Sequence, residues 1–130
     1  MDKKVKYWLN LADDDVSVVR LLISGEKYLQ AGFFCHLIAE KSLKAMIANA
    51  SSEVPPKTHD LAKLALRAGI FDELSDSQRK LLKELNPLNI DGRYPEYKAH
   101  IAQILTSAKV KELLKETEEF LCWIKSKLDK

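Results

Sequence analysis

The sequence has little that staples, hinges or breaks a chain: two cysteines, four glycines and four prolines. Cys35 and Cys122 are far apart and neither has a second close-spaced ligand pair, which argues against a disulfide scaffold and against the usual zinc spacings. Both read as small buried hydrophobes in a reducing compartment, and no metal or cofactor is expected. No run of about 18 apolar residues occurs, so no membrane span is expected. The opening MDKKVKYWLN is basic but lacks a continuous apolar region and a cleavage site, so it does not read as a signal peptide, and a cytoplasmic protein is expected. A formal net charge of +2 is too small to argue for nucleic acid, so any RNA contact has to be local. Internal repeats, a Gly-rich phosphate loop, a Walker motif and β-alternation are all missing.

What is present is helical periodicity. With 130 residues, 46% of them hydrophobic and 31% charged, the chain makes one ordinary domain over 1–130 with a single core. The stretch GFFCHLIAEKSLKAMIANA, 32–50, is apolar on two sides: Phe34, Cys35, Ile38, Ala45 and Met46 on one, Ala39, Leu43, Ile47 and Ala50 on the other. A surface helix shows a single apolar stripe, so this one needs cover on two sides and predicts the central rod of a bundle. Glu40, Lys41 and Lys44 leave it only a narrow polar strip, with Glu40 four residues before Lys44.

Around this rod the spacing of Val5, Trp8, Leu9, Ala12, Val16 and Val19 predicts a first helix over 3–24, antiparallel to the rod and broken at Ser24-Gly25. Its acidic run, Asp13 to Asp15, reads as a solvated face. The double proline at 55–56 predicts a loop. Thr58 caps a short helix, 59–68, that stops at Gly69. Ser75 to Gln78 forms a capping box for another, ended or kinked by Pro87. The stretch 86–100 is irregular, with a helical turn over 97–105. A long last helix capped by Ser107 completes the chain. The expectation is an all-α, four- to five-helix up-and-down bundle, a fold that by itself settles no function.

Few residues could carry chemistry. His36 can face Glu40 one turn away but has no nucleophile or metal partner at a useful spacing, and a structural role is expected. His59, beside Asp60, reads as a loop-packing or capping residue. Arg93 lies in a loop constrained by Gly92 and Pro95, and His100 follows it. A guanidinium binds phosphate through a bidentate fork and steadies charge developing on phosphorus. An imidazole can move a proton near neutral pH. The same pair is also explained by an arginine anchoring its loop to an acidic neighbour.

Four stretches together resemble the HEPN family of small all-α domains: Trp8-Leu9 with Ala12 and Asp15-Val16; Phe33-Phe34 through Glu40-Lys41-Ser42-Leu43-Lys44-Ala45; Thr58-His59-Asp60-Leu61; and Arg93-Tyr94-Pro95. The resemblance implies a bundle of four or five helices that pairs as a two-fold homodimer, in a form often encoded beside a minimal nucleotidyltransferase as a two-component or toxin–antitoxin system. Many members are metal-independent endoribonucleases marked by Arg, four to six residues, then His, with two copies of the motif meeting across the dimer. Arg93 and His100, with six residues between them, fit the long end of that pattern. Tyr94-Pro95 stands where ribonuclease members often carry a polar residue after the arginine, and Ala102 where they carry a tyrosine.

Three functions are compatible with this resemblance. The first is a binding module, the dimeric partner subunit of a minimal nucleotidyltransferase, holding nucleotide or RNA near Arg93, Tyr94, Lys41 and Lys44. The second is a ribonuclease toxin in which Arg93 stabilises the phosphorane and His100 moves the proton. The third is a structural adaptor without catalysis. Trp123, Phe120, Tyr7 and Tyr28 lie partly off the inward stripes and are the aromatic candidates for a dimer face.

Overall fold

The computed structural model describes residues 2–129, and within them six α-helices and two 3₁₀ turns, with no strand. In order they are α1 (Lys3–Ser24), α2 (Tyr28–Ala50), α3 (Leu61–Arg67), a 3₁₀ turn at Phe71–Glu73, α4 (Asp76–Leu85), a second at Asn86–Leu88, α5 (Pro95–Ile104) and α6 (Ser107–Leu128). The all-α expectation holds, but the α-helices number six, not four to five. Pro87 ends the ladder of α4, and Gly92, at φ +72, turns the chain before Pro95 opens a separate α5 at a position where its missing amide costs nothing.

The central helix is the rod its sequence predicts, although it begins at Tyr28, four residues before Gly32. It packs against α1, α3, α4, α5 and α6. Asp15 pairs with Lys41, and Trp8 lies beside Lys44, so α1 and α2 are antiparallel. Arg20 pairs with Glu118 and Asp13 with Lys125, which sets α6 antiparallel to α1 as well. The core between these layers holds Ile38, Leu43, Leu64, Leu85, Phe120 and Ile124, all closed to solvent. The Cys35 thiol is sealed in this core, where burial pushes its pKa up to about 12 and leaves it chemically quiet. Cys122, expected to be buried, is exposed on α6.

Helix ends lie one or two residues from where the local sequence chemistry puts them. The turn after α1 is a Schellman motif in which the Glu26 amide donates to Ile23 O and the Lys27 amide to Leu22 O. The left-handed residue is therefore Glu26, at φ 58, and not Gly25 beside it. Gly69 does occupy the left-handed position of the same motif after α3. Asp60, not Thr58, caps α3, its carboxylate accepting from the amides of Ala62 and Lys63, and the helix starts at Leu61. Thr106, one residue before Ser107, caps α6. The Ser75–Gln78 capping box forms in full.

Two polar expectations change more. Asp15 is buried against Lys41 instead of lying on a solvated face. Glu40 and Lys44 are not a surface strip of α2 but are closed inside the molecule. Among the aromatic candidates for a dimer face, Phe120 is 2% exposed and belongs to the core, Tyr28 and Trp123 are half-buried, and only Tyr7 is largely open.

Candidate functional site

The stretch 86–95 is shaped by small local bonds. Asn86 accepts from the Leu61 amide at 2.9 Å and donates to the Asp60 carboxylate at 3.3 Å, stapling the start of α3 to the end of α4. Asn89 accepts from the Asp91 amide, and the Arg93 amide donates to Ile90 O at 3.1 Å. Between these pieces lies an open cleft of about 340 Å³ lined by His59, Asp60, Asn86, Asn89, Asp91 and Arg93.

Arg93 is exposed at the rim of this cleft. Its guanidinium carbon sits 4.7 Å from the centroid of the Tyr97 ring, a cation–π contact that fixes the side chain without using its donors. The Tyr97 hydroxyl donates to Pro87 O, so the ring itself is tethered to the loop. No carboxylate of the described residues pairs with Arg93. No acidic neighbour therefore anchors the arginine, and its planar fork is left open to an anion.

The other expected site residues are placed differently. Tyr94 is 81% exposed beside Arg93 but does not line the cleft. His100 is exposed on α5, three residues past Tyr97, and the cleft does not include it. Lys41 is paired with Asp15 on the α1 side of the rod. Lys44 is buried, its ammonium 3.0 Å from Glu40 and 5.5 Å from the Trp8 ring centroid, so it offers no surface to a nucleotide. The loop thus brings Arg93 and Tyr94 together, while Lys41 is half-buried against α1 and Lys44 is closed inside the bundle.

What reaches the cleft from the core is a histidine read only as packing. His59 Nδ1–H donates to Glu40 Oε1 at 2.8 Å, and His36 Nε2–H donates to the His59 carbonyl at 2.8 Å. Glu40 therefore serves Lys44 and His59 together, one oxygen each. His59 lies nineteen positions after Glu40, so no local spacing links them. The only signal in the sequence was a carboxylate on a two-sided apolar helix, which needs buried partners from elsewhere.

His36 is fully buried, with Nδ1 lacking a hydrogen-bond partner among the described residues and 3.8 Å from Glu40 Oε1. Burial lowers its pKa, against the opposing pull of the His59 carbonyl and Glu40. A histidine whose folded-state pKa lies below its unfolded value binds protons less readily when folded. Its share of stability is therefore complete above pH ~6.5 and declines as acid titrates the unfolded ring and then the folded one. The urea midpoint should fall between pH 7.5 and 5, and His36→Gln should flatten that fall. A variant with the wild-type slope would remove His36 as the cause.

Among the described residues no helix is long and apolar enough to cross a membrane, and no group of three or more His, Cys, Asp or Glu could hold a metal. The family described as HEPN domain matches residues 5–127, nearly the whole chain. No curated protein and no solved structure matches it.

Proposed function

The chain belongs to the HEPN family, and from that premise we propose that it is a nucleotide- or RNA-binding module, dimeric, acting as partner subunit of a minimal nucleotidyltransferase. One observation carries the binding part: Arg93 stands at an open cleft with no internal carboxylate holding it. Tyr97 keeps the guanidinium in place, which lowers the side-chain entropy an anion would have to freeze out. Tyr94, exposed next to Arg93 in the chain though outside the cleft itself, is a surface on which a neighbouring base can stack.

Arg93→Ala should weaken binding of a labelled single-stranded RNA about tenfold or more, the worth of one charged hydrogen-bonded contact. The melting temperature should stay within a degree or two, because the side chain is exposed and unpaired. Fluorescence polarisation and a thermal melt on the same preparation measure both. Wild-type RNA affinity in Arg93→Ala would remove the reading. Dimerisation is checked by light scattering, and the partner by co-purification with a nucleotidyltransferase encoded beside the gene.

The ribonuclease reading keeps one point in its favour, since Arg93 and His100 are both exposed and α5 leads from one to the other. It requires RNA turnover by the purified chain that His100→Ala lowers ~10²–10⁴-fold.

A further inference from the structure

We propose that His59 is the group by which the Arg93 cleft tells ribose from deoxyribose, its Nε2 accepting a hydrogen bond from the 2′-hydroxyl of a bound ribonucleotide. This rests on the cleft being a nucleotide or RNA site, and it adds the sugar to the phosphate already assigned to Arg93.

The imidazole is held before any ligand arrives. Glu40, on the central helix, takes the Nδ1 hydrogen at 2.8 Å, and His36 pins the His59 carbonyl at 2.8 Å. Glu40 is itself fixed by Lys44, which lies beneath Trp8. A ring locked at one nitrogen and at its own backbone keeps its orientation without help from the ligand.

With hydrogen on Nδ1, the neutral ring carries its lone pair on Nε2. That nitrogen has no partner among the described residues. The side chain is 58% exposed and lines the same cleft as Arg93. A lone pair repels a phosphate oxygen and attracts a hydroxyl, so the anion falls to Arg93 and the sugar to His59.

The other cleft acceptors are less suited. Asp60 spends Oδ1 on the amides of Ala62 and Lys63 and on Asn86, and the charge it carries repels the phosphate at Arg93. The Asn89 oxygen is taken up by the Asp91 amide. Asp91 stands on the exposed rim with no side-chain hydrogen bond or ion pair among the described residues to orient it, and its charge repels the phosphate beside it. The 2′-hydroxyl is the group that separates RNA from DNA at a protein site, and a cleft of about 340 Å³ has room for one nucleotide unit.

The test compares labelled single-stranded RNA and DNA of one sequence by fluorescence polarisation. The wild type should prefer RNA by up to about tenfold, the range of one net hydrogen bond. His59→Leu should lose that preference by weakening RNA alone, and His59→Gln, which restores an acceptor, should recover part of it. Arg93→Ala should weaken both probes equally and leave the ratio. Long-range ¹H–¹⁵N spectra of the wild type should show His59 with hydrogen on Nδ1 and an Nε2 signal that moves with RNA but not with DNA, a readout that needs no variant to fold. Equal wild-type affinities, an unchanged ratio in His59→Leu, or an Nε2 signal indifferent to RNA overturns the inference while leaving the Arg93 cleft standing. Binding of both probes that ignores Arg93→Ala overturns the cleft and the inference with it.

Discussion

Glu40→Ala lowers the free energy of unfolding by about 3–5 kcal/mol, the usual cost of removing one partner from a buried ion pair. Measured against the ~5–15 kcal/mol that holds a domain together, that is a large share of the whole. The loss has two sources. Lys44, itself buried, is left as an ammonium without its counter-charge. The His59 Nδ1–H loses the acceptor that fixed the ring. The double variant Glu40→Leu with Lys44→Met should recover much of the difference, since no unpaired charge then stays inside and well-packed apolar residues replace a buried pair at little cost. Equilibrium urea unfolding at neutral pH measures both. A loss below 1 kcal/mol in the single variant would mean that Lys44 swings out to water, and the account of Glu40 as an interior anchor would fall.

The way Glu40 was hidden shows what the sequence can and cannot reveal. Apolar periodicity made the central rod legible, because a helix apolar on two sides has few places to go. The same periodicity located α1 and α6, and local chemistry located the capping box at Ser75. Caps at 58, 60, 106 and 107 were harder, since adjacent polar residues compete for one amide and only the chain's direction decides. The break-up of 86–105 was visible as Pro87, Gly92 and Pro95, and the helical turn expected over 97–105 is α5, which starts two residues earlier, at Pro95. Charged residues were read least well. Local spacing gave the i,i+4 pair of Glu40 and Lys44, which forms, but not its burial, with Lys44 against the Trp8 ring. Of the site, Arg93 was legible because its loop is built from residues with strong backbone preferences. His59 was not, because the partners that make it more than a packing residue come from two turns of a helix on the other side of the double proline.

Phe120→Ala should cost about 3–5 kcal/mol of stability, from lost burial and the cavity left behind. That corresponds to a melting temperature lower by roughly 10–20 °C for a chain of this size. The argument turns on where the ring sits. Phe120 lies on α6 with 2% of its surface exposed and its ring centroid 5.9 Å from that of Trp123. By spacing alone the residue was a candidate for a dimer face, and the two placements predict opposite results. An interface phenylalanine cut to alanine weakens association and leaves the protomer folded, so the melting temperature would depend on protein concentration and fall little when dilute. A core phenylalanine destabilises the protomer at every concentration. Tyr7, 58% exposed on α1, is the natural contrast: Tyr7→Ala should leave the melting temperature nearly unchanged. Light scattering beside each melt then separates packing within the bundle from pairing between bundles. A Phe120→Ala protein that melts like the wild type but dissociates would return that ring to the interface and take the α6 core with it.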